Sequence, residues 1–251
     1  MSDRPVLLVT GGSRGIGAAI CRFAAERGYD VAVNYQGNAQ AAANVVAACG
    51  RAGARAIAIQ GDMANLADIT RVFAEAKAAL GPLTAVVNNA AITGKSSPLA
   101  KSDPQVIRAC IDLNVTGAIL VAREAAQALL ANEGAKNRAI VNISSIAAGL
   151  GSPNEYVWYA ASKAAIDSLT IGLAIELAPA GIRVNAVSPG MTQTDIHALS
   201  AGDPGRVERI APTIPLKRVA EPEEIAEAVL FALSEAASYM VGSIIRVGGG
   251  R

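Results

Sequence analysis

Two side chains that can take part in proton transfer, Tyr159 and Lys163, stand four residues apart in the sequence. In a helix this spacing places both side chains on one face, so that an ammonium group lies beside a phenol. A free tyrosine titrates near pKa ~10, and a nearby positive charge favours the phenolate and brings proton exchange closer to neutral pH. The pair therefore indicates a proton donor and acceptor. Taken alone, it is also compatible with a Tyr and a solvated Lys on a helix surface.

A glycine-rich loop near the N-terminus has the context of a dinucleotide-binding turn. The run 10–17, Thr-Gly-Gly-Ser-Arg-Gly-Ile-Gly, follows an apolar strand candidate and precedes a helix candidate at 18–27. Glycines let the backbone approach a pyrophosphate closely, and the helix N-terminus presents free N–H groups to it. The spacing departs from G-x-G-x-x-G, but the strand before it and the helix after it favour a cofactor loop over a simple tight connection.

The end of the second strand candidate bears on the choice between NAD and NADP. An NAD-binding fold commonly places an acid there against the ribose 2′-hydroxyl, whereas this chain has Asn34, Tyr35 and Gln36. Arg14 in the glycine loop can supply a guanidinium to a 2′-phosphate, which a carboxylate at position 34 or 35 would repel. We therefore predict NADP(H), with an exposed Arg14 of no role as the alternative. Asp62 is expected either to accept a hydrogen bond from the adenine amine or to cap the next helix.

The composition and the apolar pattern predict an α/β fold of the doubly wound Rossmann type. Apolar residues form 52% of the 251 residues and aromatic residues only 4%, which favours a core of Ala, Val, Ile and Leu. The strand candidates lie at 6–10, 31–34, 56–59, 85–88, 139–143, 182–187 and 244–247. Seven apolar strands separated by helices predict a parallel sheet with helices on both faces.

The same pattern bears on domain organisation. The chain has no linker-like stretch, so we expect one domain over residues 1–251. The segment at about 191–215 is rich in Gly and Pro and has weak periodicity. It is therefore interpreted as a partly helical substrate lid.

Charge and cysteine usage narrow the range of partners. The formal net charge is +1, with 22 basic and 21 acidic residues, so neither nucleic acid nor an anionic membrane is indicated as a partner. Cys21, Cys49 and Cys110 are far apart and lack a C-x-x-C pair, which argues against disulfides or a structural zinc and fits a cytoplasmic protein. We expect no signal peptide and no membrane span. The only histidine, His197, has no metal-ligating neighbours in sequence, so no metal is predicted.

Several ordered motifs resemble the short-chain dehydrogenase/reductase family in its single-domain form. Residues 10–17 are similar to its T-G-x3-G-x-G cofactor loop, and residues 88–91 to its N-N-A-G stretch, with Ala91 in place of the glycine. Residues 159–163 match its Y-x3-K signature. Asn114, Ser145 and the run Ser-Pro-Gly at 188–190 followed by Thr194 also match. The resemblance covers essentially the whole chain.

The resemblance implies a catalytic tetrad of Asn114, Ser145, Tyr159 and Lys163. Tyr159 exchanges a proton with the substrate oxygen while a hydride passes between the carbonyl carbon and nicotinamide C4. Ser145 holds that oxygen by a hydrogen bond. Lys163 lowers the Tyr pKa and holds the nicotinamide ribose, and Asn114 holds a water that connects Lys163 to solvent. Ser144 competes with Ser145, because strand alternation sends adjacent side chains to opposite sides.

The predicted cofactor-binding residues are Gly11, Ser13, Arg14, Gly15, Ile16, Gly17, Asn34, Tyr35, Asp62, Met63, Asn89, Ala90, Tyr159, Lys163, Pro189, Gly190 and Thr194. Pro189 and Gly190 are expected to turn the chain beneath the nicotinamide, and Thr194 or Thr192 to bond its carboxamide. No lysine stands four residues after Tyr156, so Tyr156 is expected to line the substrate pocket or to serve as a packing residue. His197 is expected to be an exposed residue of the lid.

These expectations combine into an NADP(H)-dependent oxidoreductase that interconverts an alcohol and a ketone or aldehyde. Within that class a β-ketoacyl thioester reductase, a sugar or polyol dehydrogenase and a reductase of xenobiotic carbonyls stay open. Outside it, the alternative is a non-catalytic NADPH-binding sensor or scaffold. Long helices expected at 104–130 and 156–178 carry Ala and Leu on more than one face, and together with the family resemblance they predict a homotetramer.

Overall fold

Strands and helices alternate along the chain in the computed structural model, which describes residues 4–196 and 205–251. The strands are β1 (Val6–Val9), β2 (Asp30–Tyr35), β3 (Ala56–Gln60), β4 (Ala85–Asn88), β5 (Arg138–Ile143), β6 (Ile182–Pro189) and β7 (Ile244–Val247). They form one sheet in the order β3-β2-β1-β4-β5-β6-β7, with every neighbouring pair parallel. The predicted seven-stranded parallel sheet is confirmed, and the strand ends differ from prediction by at most two residues.

Helices cover both faces of this sheet. The α-helices are α1 (Gly15–Glu26), α2 (Ala39–Arg51), α3 (Leu66–Leu80), α4 (Pro104–Ile111), α5 (Ala118–Leu130), α6 (Ala147–Leu150), α7 (Val157–Leu177), α8 (Arg206–Ile210) and α9 (Pro222–Leu233). Alternation along β1 sends Leu7 and Val9 into a core with α1 and α9, and Leu8 into a second core with α3, α5 and α7. The sheet is therefore buried on both sides, which explains its nearly continuous apolar strands.

The sheet order reverses between β1 and β4. In such open sheets, ligands bind in the crevice outside the carboxyl ends of the strands at this switch point. Asparagine side chains begin two of the helices near this edge: Asn38 accepts the N–H of Ala41 at 2.9 Å, and Asn65 accepts the N–H of Ala67 at 2.9 Å. Asn65 is therefore the N-cap of α3, and the alternative that Asp62 caps this helix is wrong.

The predicted helix at 104–130 consists of α4, a π-helical segment (Asp112–Gly117) and α5. In the part of the chain that the structure describes, this stretch alone is long and apolar enough to cross a membrane, with a mean hydropathy of 1.4. The sequence analysis expected no run of that kind. Buried core helices meet the same criterion, and Val121, Ala125 and Leu129 of α5 are fully buried against the sheet. The stretch is weak evidence for a membrane span.

Four short 3-10 helices complete the described elements: Leu99–Lys101, Ala178–Ala180, Ala211–Thr213 and Glu235–Ala237. Of the predicted lid at about 191–215, the described residues include α8 and the 3-10 turn that follows it. His197 lies outside the described residues, so its predicted exposure has no structural counterpart. The expected partly helical character of the lid agrees with α8.

Candidate active site

A cleft of about 850 Å³ lies at the carboxyl ends of the strands. The predicted site residues that line it are Gly11, Ser13, Arg14, Gly15, Ile16, Gly17, Asn34, Tyr35, Asp62, Met63, Asn89, Ala90, Ser145, Tyr159, Lys163, Pro189, Gly190 and Thr194. Of the predicted set, only Asn114 is not part of its wall. The fold thus brings positions from seven separate stretches of sequence to one cavity, large enough for a dinucleotide end and a small substrate.

Asn34 braces the glycine loop from the end of β2. Its Oδ1 accepts the N–H of Gly11 at 3.1 Å, and its carbonyl oxygen accepts the N–H of Gly12 at 2.7 Å. Its Nδ2 donates to the carbonyls of Ile59 at 3.3 Å and Gly61 at 3.1 Å. Asn34 is 1% exposed, so its side chain mainly links the loop to the end of β3. Asn34 was predicted at the cofactor, but this brace has no sequence signal, because it depends on how the glycine loop folds back over β2.

A second set of bonds fixes the glycine loop to the segment after β4. The hydroxyl of Thr10 accepts the N–H groups of Asn89 at 2.8 Å and Ala90 at 3.1 Å. Asn89 Nδ2 donates to the carbonyl of Thr10 at 2.8 Å. A Cβ added at Gly17 would stand 2.4 Å from the carbonyl oxygen of Gly11, so only glycine fits there. This close packing holds the backbone at the N-terminus of α1 open to a phosphate group.

Arg14 stands at the N-cap of α1 with an extended backbone and an exposed side chain. Arg14, Tyr35 and Gln36 all line the cleft. Within residues 4–196 and 205–251, no carboxylate lies within ion-pair distance of its guanidinium. Gln36 Nε2 donates to Asp62 Oδ2 at 2.9 Å, so this cleft-lining acid is engaged by an amide. The geometry leaves Arg14 available to an anionic group.

Tyr159 and Lys163 lie on α7, as the sequence spacing predicted. Lys163 Nζ donates to the carbonyl of Ile143 at 2.7 Å and lies 5.8 Å from the centre of the Tyr159 ring. Ser145 lines the cleft, and its side chain acts to lower the pKa of Tyr159, whereas Ser144 is 2% exposed and donates to the carbonyl of Lys163 at 3.2 Å. The two adjacent serines thus face different surroundings. The arrangement supports Ser145 as the serine that contacts a substrate.

Burial governs the titration of both groups on α7. It raises the pKa of Tyr159 well above its usual value of 10.0, and the hydrogen bond with Ser145 acts in the opposite direction. Burial lowers the pKa of Lys163 from 10.5 to about 8, with Cys110 and Asp167 acting against that change. The structure therefore departs from the expected lowering of the Tyr159 pKa by Lys163. Desolvation of the phenol is the largest cause, and Lys163 is not among the groups that lower the Tyr159 pKa.

The lowered Lys163 pKa predicts a pH-dependent cost in stability. The unfolded chain holds this proton up to about pH 10.5 and the folded chain up to about pH 8, so burying the ammonium destabilises the fold fully below pH 8. The cost is on the order of 3 kcal/mol at pH 7 and fades as the pH rises towards 10.5. Lys163→Met should therefore raise the free energy of unfolding at pH 7. In chemical denaturation, the difference in free energy of unfolding between Lys163→Met and the parent should shrink between pH 7 and pH 10. A difference that stays constant over this range would contradict the lowered pKa of Lys163.

Asn114 lies in the π-helical segment and is 1% exposed. Its Oδ1 accepts the N–H of Ile92 at 2.9 Å, and its Nδ2 donates to the carbonyl of Ile92 at 2.8 Å and to Ser162 Oγ at 3.1 Å. Ser162 Oγ in turn donates to the carbonyl of Tyr159 at 2.7 Å. Asn114 is thus linked through Ser162 to the backbone of the Tyr159 turn. Local π-bulges of this kind occur frequently at functional sites.

The chain after β6 forms one wall of the cleft. A Cβ added at Gly190 would stand 2.9 Å from the Cα of Gly248, so the backbones approach closely there. Thr192 is 3% exposed and its hydroxyl donates to the carbonyl of Gly190 at 3.1 Å. A Cβ at Gly15 would lie 3.1 Å from the methyl of Thr194, which therefore reaches over the glycine loop. Both threonines line the cleft, as the sequence alternatives allowed.

Two residues of the cleft, Glu155 and Arg206, were not predicted from the sequence, because no motif marks them. Glu155 precedes α7 and Arg206 begins α8, and both line the cleft beside Tyr156. Tyr156 contacts Tyr159 edge to face, with ring centres 5.5 Å apart. Residues 4–196 and 205–251 contain no group of three His, Cys, Asp or Glu side chains that could hold a metal ion.

Comparison with known proteins places this site in a family. Residues 11–251 match a family model described as enoyl-(acyl carrier protein) reductase. The chain is 45% identical to the "Uncharacterized oxidoreductase YgfF" of Escherichia coli, covering 98% of this chain and 99% of that protein. It is 39% identical to cis-4-hydroxycyclohexanecarboxylate dehydrogenase of Sinomonas cyclohexanicum, over 98% of this chain and 95% of the relative. It is 37% identical to 3-oxoacyl-[acyl-carrier-protein] reductase FabG of Staphylococcus epidermidis, over 97% of both.

Solved structures give the same result. A short-chain dehydrogenase from Burkholderia cenocepacia in complex with NADP superimposes with a TM-score of 0.90 at 34% identity, over 98% of this chain and 97% of that chain. A 3-ketoacyl-(acyl-carrier-protein) reductase from Brucella melitensis complexed with NADH superimposes with a TM-score of 0.90 at 31% identity, over 98% of both. The sequence and structural matches cover nearly the whole chain, and it belongs to the short-chain dehydrogenase/reductase family of oxidoreductases.

Proposed function

We propose that this protein is an NADP(H)-dependent oxidoreductase that interconverts an alcohol and a ketone or aldehyde, with Tyr159 as the proton donor and acceptor. The observation that carries the proposal is the meeting of Tyr159, Ser145 and Lys163 in the cleft that the glycine loop also lines. Asn114 completes the predicted tetrad from the π-helical segment behind them. Membership of an oxidoreductase family supports this chemistry.

The residues of the cleft fit NADP(H). The carbonyl of Gly11 fills the space that a Cβ at Gly17 would need, which leaves the N-terminus of α1 accessible to a pyrophosphate. Arg14 and Tyr35 both line this cleft, and Tyr35 ends β2, where an NAD-binding fold commonly has an acid. When bound, the nicotinamide supplies or accepts a hydride. The Burkholderia cenocepacia protein of similar fold was solved with NADP, which supports the assignment, although the Brucella melitensis protein was solved with NADH.

The chain's own groups handle the proton and the substrate oxygen. Because burial raises the pKa of Tyr159, the phenol is protonated at neutral pH and ready to donate to the oxygen of a carbonyl substrate. The hydroxyl of Ser145 holds that oxygen and stabilises the negative charge that develops on it. Lys163, on the same face of α7, supplies the positive charge beside the phenol and a donor for the ribose. The protonated phenol is the form that donates in the direction of carbonyl reduction.

The choice of substrate rests on the outer part of the cleft. Its wall includes the apolar side chains of Leu150, Pro153, Tyr156 and Ile210, which fit the hydrocarbon body of a carbonyl compound. The relatives act, by their names, on a hydroxycyclohexanecarboxylate and on a 3-oxoacyl carrier thioester. A cyclic ketone and a 3-oxoacyl thioester are therefore the first substrates to compare, followed by sugars, diketones, quinones and aromatic aldehydes.

The test of the proposal is oxidation of NADPH and of NADH with this panel of carbonyl compounds. We expect turnover that prefers NADPH.

Arg14→Ala should lower kcat/KM for NADPH by about tenfold and leave that for NADH unchanged, because an exposed guanidinium–phosphate contact is lost only with NADPH. Arg27→Ala is the matched control, since Arg27 follows the other end of α1 and pairs with Glu227 at 2.5 Å. An equal loss of kcat/KM with both cofactors would contradict a contact between Arg14 and the 2′-phosphate. Tight NADPH binding without turnover would favour the non-catalytic sensor.

The proposal also covers the domain organisation, the oligomeric state and the cellular compartment of the protein. We infer one domain over residues 1–251, with a substrate lid at about 191–215, because all seven strands form a single sheet and every predicted site residue except Asn114 lines one cleft. A homotetramer is supported by the apolar side chains of Ile171 and Ile175 on α7, which are 48% and 71% exposed. Cys21, Cys49 and Cys110 are free and buried, which fits a reducing cytoplasm. Neither a nucleic acid nor a membrane is proposed as a partner.

A further inference from the structure

A nearly buried cation on the short helix α8 faces the start of the Tyr159 helix. Arg206 Nη1 and Nη2 donate to the two carboxylate oxygens of Glu155 at 2.5 and 2.7 Å. The same Nη2 donates to the hydroxyl of Tyr156 at 2.6 Å. The Arg206 side chain is 6% exposed and that of Glu155 is 35% exposed. This two-pronged contact fixes both the distance and the orientation of the two elements.

The turn that presents Glu155 to Arg206 is itself tightly specified. It contains two non-glycine residues with left-handed backbone, Ser152 at φ 45° and Asn154 at φ 62°. The carbonyl of Glu155 accepts the N–H of Ser97 at 2.7 Å, so a second loop anchors the turn. Non-glycine residues persist in this backbone region only where the surroundings determine it. The carboxylate thus stands at a fixed place beside α7.

The pair is linked to the reacting phenol through one aromatic ring. The Arg206 guanidinium lies 5.3 Å from the centre of the Tyr156 ring, and that ring meets Tyr159 edge to face at an interplanar angle of 84°. Arg206, Glu155 and Tyr156 all line the cleft on its substrate side. A shift of Arg206 therefore moves both the wall of the substrate pocket and the ring that supports Tyr159.

We propose that Arg206 is a positioning residue for the reaction: paired with Glu155 and Tyr156, it fastens α8 against the start of α7 and so sets the substrate side of the cleft. The proposal rests on the proposed function. Arg206 exchanges no proton and contacts no reacting atom. Loss of the guanidinium leaves the Glu155 carboxylate without its partner, so the wall against which the carbonyl substrate binds is no longer held in place.

The test compares Arg206→Met with Arg206→Lys and with an exposed ion pair outside the cleft. Arg218 donates to both carboxylate oxygens of Glu224 at 2.6 and 2.7 Å, and its side chain is 55% exposed, so Arg218→Met is the matched control. Arg206→Met should raise the KM for the carbonyl substrate by at least about tenfold, with kcat within about threefold and the Kd for NADPH unchanged. Arg206→Lys should show a smaller rise in KM, because an ammonium keeps the charge but not the two-pronged contact. Arg218→Met should leave KM unchanged.

Hydrogen exchange of the peptide 205–214 provides a readout that does not depend on activity. Arg206→Met should lose protection in this peptide while Arg218→Met keeps it. Unchanged protection in Arg206→Met would overturn the fastening of α8, whatever the kinetics. Lost protection with an unchanged KM would overturn the positioning role, since a merely structural defect lowers the active fraction and hence kcat alone. If the parent turns over no carbonyl compound, the proposed function fails, and hydrogen exchange alone decides whether Arg206 fastens α8.

Discussion

Tyr159→Phe is expected to lower kcat by about 10²–10⁴-fold while NADPH still binds with nearly the affinity of the parent. The substitution removes one hydroxyl from a ring whose position is fixed by packing against Tyr156. The hydroxyl interacts with Ser145, and burial keeps it protonated at neutral pH. Without it, the developing oxyanion has no positioned proton donor, because Lys163 Nζ is held by the carbonyl of Ile143 at 2.7 Å. The fall should therefore appear in kcat more than in KM.

The measurement is single-turnover oxidation of NADPH with the best substrate of the panel, together with NADPH titration by fluorescence. Tyr29→Phe is the matched control, since Tyr29 is also buried and its pKa is also raised by burial, but it packs in the core beside α1, away from the cleft. We expect parent-like turnover from this control. If Tyr159→Phe keeps more than about a tenth of the parent rate, the phenol is not the proton donor and the proposed mechanism is wrong.

The features that sequence could predict are those that depend on local spacing. The Tyr159–Lys163 pair shares a helix face because four residues make about one turn. The glycine loop is recognisable because the strand before it and the helix after it are both contiguous in sequence. The alternation of Leu7, Leu8 and Val9 between the two cores follows from strand geometry. Each of these signals is contained within one contiguous stretch of the chain, so a single sequence carries it.

The features that sequence could not predict join distant stretches. The contact of Arg206 with Glu155 spans 51 residues. The brace from Asn34 to the N–H of Gly11 spans 23 and depends on how the loop folds back over β2. Asn114 was predicted from its motif, but its bonds to Ile92 depend on a π-helical segment that no local pattern indicates. The direction of the Tyr159 pKa depends on burial, which is a property of the whole fold.

Gly17→Ala is expected to weaken NADPH binding by roughly 10–100-fold through one methyl group, as overpacking of a close backbone contact typically costs about 1–3 kcal/mol. The new Cβ would stand 2.4 Å from the carbonyl oxygen of Gly11, 2.7 Å from Asn89 Nδ2 and 3.0 Å from the Cα of Gly12. Two of these three neighbours are backbone atoms, so no side chain can rotate away to relieve the contact.

The neighbours of Gly17 are also fixed by other bonds, so the strain must displace the loop. The N–H of Gly11 is held by Asn34 Oδ1 at 3.1 Å, and Asn89 Nδ2 donates to the carbonyl of Thr10 at 2.8 Å. Moving Gly11 outward breaks the bond to Asn34 and carries backbone into the space that a pyrophosphate needs.

The experiment measures the NADPH Kd and the thermal midpoint for Gly17→Ala beside Gly50→Ala. Gly50 lies near the end of α2, and a Cβ there meets nothing within 4 Å, so the control should be stabilised by about 0.4–1 kcal/mol and should bind NADPH like the parent. Parent-like affinity in Gly17→Ala would mean that the cofactor does not depend on the backbone at residues 11–17. Because the same loop positions Arg14, the loss should be shared by NADH, which distinguishes a displaced loop from the NADPH-selective effect of Arg14→Ala.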